Sequence, residues 1–224
     1  MTRAFPVAQA TRFTLRESVA DQIRSAIGDG SLTAGVHLAE VELSESLGVS
    51  RATLREALRQ LQQEGLLTQD TRGRLSVRRV TTEEVDDIFE VRQTLEALAV
   101  RRLCAKSKRD SDIAILRRKL DRLKVEMGLA DDLDADLDFH GTICHLAGNE
   151  ILYSAWLSIS GLIRITMITA GAAPARENLT YARHAPIVDF IEAGDDAGAL
   201  AYLSDHMTSA ASTLIKRMND TTAQ

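Results

Sequence analysis

The sequence is poor in cysteine, proline and aromatic residues, and its first residues contain no long apolar run. Its 224 residues include 2 cysteines and 3 prolines, and 4% are aromatic. Cys104 and Cys144 are far apart and lie in apolar, helical surroundings, which indicates neither a CxxC site nor a disulfide framework. We interpret both as core thiols. The segment MTRAFPVAQATRF lacks the apolar core of a signal peptide, so we expect a cytoplasmic protein.

A long uninterrupted hydrophobic segment is also missing, and positive charge is confined to one region. The longest apolar stretch, residues 151–173, contains three serines and Arg164, so we interpret it as a buried central helix rather than a membrane span. Residues 1–80 contain 11 arginines, no lysine and 9 acidic residues, whereas the remainder has 16 basic and 23 acidic residues. The acidic remainder would repel nucleic acid, so a DNA-binding surface is expected only in the N-terminal part.

Two short helical patterns meet at a tight turn between Glu40 and Leu67. The first covers residues 41–47, and Gly48 provides the turn. Ser50 is a suitable N-cap for a second helix, which Gly65 ends. This arrangement is typical of a helix-turn-helix, whose second helix lies in the major groove of DNA.

The second helix carries two separate rows of side chains. Leucines 54, 58 and 61 form a buried face, and Arg51, Arg55 and Arg59 repeat every four residues on another. Arginine can bond a guanine edge or a phosphate, which favours a recognition helix. The alternative is a solvated helix whose arginines pair with Glu56 and nearby acids.

A β-hairpin is predicted directly after the second helix. Residues 66–68 and 75–80 are the strand patterns, and residues 71–74 (TRGR) form the tip. Gly73 can adopt positive φ there, with Arg72 and Arg74 beside it. A basic hairpin next to a basic recognition helix predicts a winged helix that binds nucleic acid.

Residues 14–80 resemble the winged helix of the GntR family of bacterial transcription regulators. The resemblance rests on SVADQIRSAIGDGSL, AGVHLAEVELSESLGVSR and LREALRQLQQEGLL, followed by a glycine-containing wing. Two departures are Ala34-Gly35, where many members have Pro-Gly, and Val41, where some have a DNA-contacting arginine. The resemblance implies Arg51 and Arg55 as the main DNA contacts. The full predicted DNA-binding set is Ser50, Arg51, Thr53, Arg55, Arg59, Arg72, Gly73 and Arg74.

The remainder of the chain has a helical period throughout. Helices are predicted at about residues 82–105, 110–128, 131–147, 149–170, 178–193 and 195–218, with one of the breaks at Pro174. The predicted fold is therefore mainly α: a winged helix-turn-helix followed by an all-α six-helix bundle that binds an effector. We divide the chain into a flexible tail (1–13), the winged helix (14–80) and the ligand-binding domain (81–220).

Four polar residues lie on the apolar faces of three of these helices. Asp136 and His140 are four residues apart on one helix, while His184 and His206 lie on two others. Imidazole and carboxylate together suit Zn or Ni, and also Mn or Fe. The spacing alone equally allows histidines that form hydrogen bonds within the core and do not converge.

The same segments resemble the ligand-binding (FCD) domain of the FadR subfamily of GntR regulators. The matching segments are DADLDFHGTICHLAGNEIL, RHAPIVDFIEAGDDAGA and LSDHM. In metal-binding members the motif positions are ligands, which implies Asp136, His140, His184 and His206 here. His37 and His145 do not match. The acyl-CoA-binding branch lacks this histidine set, so the resemblance argues against a fatty acyl effector.

Two arginines are candidates for effector binding. Arg92 lies on the inward stripe of its helix, and a buried cation needs a partner. An ion pair with Glu96 or Asp138, or a side chain that extends outward to solvent, would explain it without a ligand. EVRQTLEALAVRRL resembles the first bundle helix of the FadR subfamily, whose arginine lies in the ligand cavity, and this implies a small organic acid as effector. Arg164 has a comparable inward position on the central helix.

These observations predict a metabolite-responsive transcriptional repressor that binds a palindromic operator as a homodimer, with no membrane association. Residues 79–83 form a short linker, so movement of the first bundle helix would reorient the winged helix. A metal-dependent hydrolase is the alternative, because such a centre can activate water. Against it, the pattern shows no further inward glutamate or histidine as general base. A module that binds RNA or protein is a third possibility.

Overall fold

The computed structural model describes residues 14–222, and the predicted tail at residues 1–13 lies outside them. The N-terminal part contains α1 (Leu15–Gly28), α2 (Glu40–Ser46), α3 (Arg51–Gln63), β1 (Leu67–Gln69) and β2 (Leu75–Val77). The bundle contains α4 (Thr82–Cys104), α5 (Asp110–Asp121), a 3₁₀ turn (Arg122–Lys124), α6 (Leu129–Leu146), α7 (Glu150–Ala170), α8 (Ala172–Asn178), α9 (Tyr181–Ala193) and α10 (Asp196–Thr222). The predicted class, a winged helix followed by an all-α domain, is confirmed.

The winged helix forms where the sequence predicts it. Leucines 54, 58 and 61 of α3 are buried, and α3 packs against α1 and α2. The strands β1 and β2 are antiparallel, with Leu67 opposite Val77. Gly73 adopts a φ of 79° at the tip, a conformation that favours glycine.

The bundle differs from the prediction in two places. The helix expected over residues 110–128 ends at Asp121 and is followed by a short 3₁₀ turn, and the region between residues 170 and 181 also differs. The short helix α8 was not predicted, and the expected break at Pro174 was wrong. Pro174 lies in the first turn of α8, where a missing N–H removes no helical hydrogen bond. The break occurs instead at Gly171, whose φ is 97°.

Helix α7 is central to the bundle, as the apolar stretch predicted. It packs against α4, α6, α8 and α10. By length and composition alone it could also cross a membrane. Both cysteines are buried and free, as expected of core thiols. Burial raises the pKa of the Cys144 thiol, so this side chain stays protonated at neutral pH.

Candidate metal centre and nucleic-acid interface

The N-terminus of α3 is organised by two of the predicted DNA-binding residues. The Ser50 hydroxyl accepts a hydrogen bond from the Thr53 backbone N–H at 3.1 Å and lies 2.8 Å from the Thr53 hydroxyl. Ser50 is therefore the N-cap. A helix N-terminus with exposed N–H groups attracts anions, so this end of α3 suits a phosphate.

The arginine row of α3 is exposed, and part of it is paired with acids. Arg55 Nε lies 2.7 Å from Glu40, and Arg59 Nη1 lies 2.9 Å from Glu56. Arg51 is exposed and forms no ion pair within residues 14–222. The solvated-helix alternative thus describes two of the three arginines in the free protein. Exposed ion pairs are weak, so a phosphate or base edge can replace these partners.

Asp70, which sequence reasoning did not single out, organises the wing. Its carboxylate accepts hydrogen bonds from the backbone N–H groups of Arg72 and Arg74, each at 2.9 Å, and pairs with Arg74 Nε at 2.8 Å. These bonds, chiefly those from Arg74, lower the pKa of Asp70. Asp70 and Gly73 together hold the tip in one conformation, with Arg72 and Arg74 exposed.

The structure brings the three predicted histidines together in the core of the bundle. His140, His184 and His206 each offer a ring nitrogen, and the three atoms lie within 4.8 Å of one another. His140 Nε2 and His184 Nε2 are 3.1 Å apart. Asp136 Oδ1 lies 2.9 Å from His184 Nε2 and 3.7 Å from His140 Nε2. All four residues are buried.

Hydrogen bonds on the far side of two rings fix where their lone pairs point. His140 Nδ1 lies 2.5 Å from a carboxylate oxygen of Glu96, and His184 Nδ1 lies 2.7 Å from the carbonyl oxygen of Thr180. Both oxygens only accept, so each Nδ1 donates and a neutral ring directs its Nε2 lone pair inward. Three acceptors, the two Nε2 atoms and Asp136 Oδ1, therefore face each other, an arrangement that a cation stabilises.

The protonation states favour the same conclusion. Burial lowers the pKa of His140. Burial, followed by the neighbouring His184 and His140, lowers the pKa of His206 well below its usual range. The rings of His140 and His206 are therefore neutral near pH 7, which is the form that binds metal. Nδ1 of His206 forms no hydrogen bond within the described residues.

Glu96 is a buried residue of the site whose role the sequence did not show. Besides His140, it accepts hydrogen bonds from Arg92 Nε at 2.8 Å and from Trp156 Nε1 at 3.4 Å. Burial raises the pKa of Glu96, but His140 and Arg92 outweigh this effect and lower it to about 2. The charge of Arg92 is permanent, so Arg92 favours the ionised form of Glu96 whether or not His140 is protonated.

Glu96 also corrects the expectation that no further inward glutamate exists. Within residues 14–222 its carboxylate accepts hydrogen bonds from Arg92, His140 and Trp156, so it positions a histidine and is not free to act as a general base. The hydrolase alternative is therefore not supported.

Arg92 has both a structural partner and an unused donor. It is 1% exposed and pairs with Glu96, as the alternative interpretation expected. Asp138, the other expected partner, contacts Lys119 and Arg122 instead. Arg92 Nη2 and Asp136 Oδ2 lie 3.7 Å apart, and neither forms a hydrogen bond within residues 14–222.

Arg164 is not brought to the histidine cluster. Its guanidinium is bonded to Asp134, and it lines a cleft of about 830 Å³ between the winged helix and the bundle. His145 is exposed and lies against the Tyr153 ring, while His37 contacts the Leu75 carbonyl at 2.7 Å. Neither His145 nor His37 takes part in the cluster.

Comparison with known families agrees with this two-part organisation. The family described as "FCD domain" matches residues 87–209, and the one described as "Bacterial regulatory proteins, gntR family" matches residues 15–77. The chain belongs to the GntR family. This GntR protein is accordingly a transcriptional regulator with an N-terminal helix-turn-helix and a C-terminal FCD domain.

Individual relatives extend over most of the chain. The "HTH-type transcriptional regulator LutR" of Bacillus subtilis (strain 168) is 30% identical over 208 residues, covering 81% of this chain and 93% of the relative. The "Probable D-xylose utilization operon transcriptional repressor" of Paenarthrobacter nicotinovorans is 28% identical over 201 residues, covering 88% and 87%. A crystal structure of a GntR regulator from Rhodococcus sp. RHA1 shares the fold, with a TM-score of 0.70, 24% identity and coverage of 90% and 97%.

Proposed function

We propose that this GntR regulator is a cytoplasmic repressor of the FadR subfamily, with its winged helix in residues 14–80 and its ligand-binding domain in residues 81–220. It binds a palindromic operator as a homodimer and responds to a small carboxylate held at a metal centre. One observation carries the proposal: a single chain combines an exposed basic recognition helix with a buried cluster of metal-ligand residues. The repressor named among its relatives supports the sign of regulation.

The DNA-binding part of the proposal rests on Arg51, Arg55, Arg59 and the wing. A suitable test is fluorescence anisotropy with a duplex from the promoter region upstream of the protein's own gene. The duplex should bind more tightly than a random duplex and than single-stranded RNA of the same sequence. Equal affinity for all three nucleic acids would contradict operator recognition, and preference for the RNA would favour the RNA-binding alternative.

Arg74→Ala is expected to weaken binding to every duplex alike. The wing residue is exposed and suits a phosphate contact, and removal of one such contact lowers the slope of log K against log salt by about 1. Anisotropy titrations at several salt concentrations, with operator and random duplexes, measure this slope. A changed base preference at unchanged salt slope would assign Arg74 to a base contact instead.

The metal part of the proposal assigns His140, His184, His206 and Asp136 as ligands. Zn–N bonds of about 2.0–2.1 Å place two nitrogens of a tetrahedral ion about 3.3 Å apart, close to the observed separation of the two Nε2 atoms. We propose Zn or Ni as the native metal, with Mn or Fe as further possibilities compatible with these ligands. A bound metal would provide a Lewis-acidic centre for carboxylate or hydroxyl oxygens.

The effector part of the proposal rests on Arg92. Its Nη2 is a buried donor without a hydrogen-bond partner among the described residues, adjacent to the proposed ligand Asp136. A buried donor of this kind is stabilised by a carboxylate. Arg164 lines the cleft between the winged helix and the bundle and is not near the histidine cluster, so it is not expected to contact the same ligand. A thermal-shift screen of small carboxylates, with and without zinc, would identify the effector.

Arg92→Lys is expected to retain zinc but to weaken carboxylate binding about ten- to a hundredfold, since a charge-assisted hydrogen bond contributes about 1.5–3 kcal/mol. Lysine keeps the positive charge near Glu96 but lacks the planar fork that reaches both Glu96 and a ligand. Arg92→Ala would instead leave Glu96 buried without its cation and destabilise the bundle. Isothermal titration with the identified carboxylate measures the effect, and unchanged affinity in Arg92→Lys would make Arg92 a purely structural residue.

A further inference from the structure

A glycine in the middle of α7 marks the place where the recognition helix touches the bundle. Glycine costs about 1 kcal/mol relative to alanine inside a helix, so its presence at position 161 calls for a reason. A Cβ on Gly161 would lie 1.4 Å from the carbonyl oxygen of Glu64, the C-cap of α3. The C-terminal end of the recognition helix therefore rests directly on the backbone of α7.

Neighbouring residues hold this end of α3 in place. Gly65 has a φ of 78°, and a Cβ on it would lie 2.8 Å from the Leu162 side chain. Arg24 of α1 bonds both carboxylate oxygens of Glu64, through Nη2 at 2.8 and 3.0 Å and through Nε at 3.2 Å. We call this contact of Glu64 and Gly65 with Gly161 and Leu162 the α3 seat.

Helix α7 also contacts residues around the histidine cluster. Trp156 precedes Gly161 by five residues, and its Nε1 donates to Glu96 at 3.4 Å. Glu96 in turn holds His140 Nδ1 at 2.5 Å. The Trp156 ring also lies against α6, because a Cβ on Gly141 would be only 2.8 Å from it. Tight packing on both sides means that displacement of Glu96 or α6 moves Trp156, and with it α7.

We propose that α7 couples the histidine cluster to the recognition helix, through Trp156 at one end and the α3 seat at the other. The proposal rests on the metal binding proposed above. The α3 seat would be a second route of coupling, besides the linker at residues 79–83, because it involves the end of the recognition helix itself. Coupling is reciprocal: if zinc changes the affinity for DNA by a factor, DNA changes the affinity for zinc by the same factor, typically about 5- to 150-fold.

The test compares DNA affinity in the zinc-loaded and metal-free protein, using the promoter duplex and anisotropy. The wild type should show a ratio of dissociation constants of about 5 or more, the lower end of typical coupling. In Gly161→Ala the new Cβ forces Glu64 away from α7, so the ratio should fall to about 1 while zinc affinity is unchanged. The substitution raises the helix propensity of α7, so the bundle itself should remain folded.

Gly128→Ala is the matched control. Gly128 has a φ of −108° and the nearest atom to its Cβ position is 3.8 Å away, so alanine fits there without displacing a neighbour. Its ratio should equal that of the wild type. Trp156 is the single tryptophan of the sequence, so its emission provides a second measurement. Zinc should change the emission in wild type and Gly161→Ala, whereas the duplex should change it only in the wild type.

Trp156→Phe serves if Gly161→Ala no longer binds the duplex. Phenylalanine keeps an aromatic ring against Gly141 but removes the donor to Glu96, and the zinc-dependent ratio should again fall toward 1. A wild type that binds zinc and duplex with a ratio of 1 overturns the coupling, as do variants that retain the wild-type ratio. If the wild type binds no zinc, the metal centre itself is refuted, and the coupling with it.

Discussion

His184→Ala is expected to reduce bound zinc from about one ion per chain to near zero. The substitution removes one of three converging imidazoles and leaves the metal with too few protein ligands. A ligand at a thousandfold excess over its dissociation constant stabilises the folded state by about 4 kcal/mol, which raises the melting temperature of a domain this size by roughly 10 °C. The variant should lose this increase. Elemental analysis and thermal unfolding with and without zinc measure both quantities.

His145→Ala is the matched control for this experiment. His145 is exposed, lies against Tyr153 and is not part of the histidine cluster, so its removal should leave zinc content and the zinc-dependent stabilisation unchanged. If wild-type protein refolded with zinc or nickel contains no metal, the cluster is a set of core histidines. Equal loss in both variants would indicate general instability rather than a specific site.

The double variant Arg51→Ala/Arg55→Ala is expected to lose most operator binding. An arginine that bonds a guanine edge contributes about 1–3 kcal/mol of discrimination, so the two together should weaken operator affinity about 30-fold or more. Both side chains are exposed, which means that their removal should not alter the fold or the zinc content. Anisotropy with the promoter duplex measures the loss.

Arg118→Ala, at an exposed arginine of α5 in the bundle, is the control for removal of a charge outside the winged helix. It should retain the operator affinity of the wild type. Full affinity in the double variant would refute the assignment of α3 as the recognition helix. A loss that is equal for operator and random duplexes would change the two arginines from base contacts to phosphate contacts.

The winged helix could be predicted because its signals are local. The leucine spacing of α3, the Ser50 cap and the glycine at the wing tip each determine a structure within a few residues. Helix α8 could not be predicted in this way, because the local signal was ambiguous. Pro174 was interpreted as a break, although proline is tolerated in the first turn of a helix. Whether a proline breaks or begins a helix depends on the packing that follows.

The histidine cluster could be predicted only in part. Period and resemblance identified inward side chains, but spacing within helices does not determine which of them meet. Glu96 and His140 are 44 residues apart, so their hydrogen bond depends on how α4 packs against α6. Arg164 was predicted to face the same site but lines the cleft beside the winged helix, because an inward position on α7 can face either of the two. Only the packing of the helices in the bundle determines which of these two orientations an inward side chain adopts.

The carboxylates that pair with three of the proposed DNA-binding arginines have a kinetic consequence. Each of these three arginines forms an ion pair with a carboxylate in the free protein, so an approaching phosphate must replace an acid at each. The pairs are Arg55 with Glu40, Arg59 with Glu56 and Arg74 with Asp70. Random DNA offers phosphate alone and gains little from the exchange, whereas an operator adds hydrogen bonds to base edges. We expect short residence on random sites, and therefore a chromosome search in which the protein is seldom delayed before it reaches its operator.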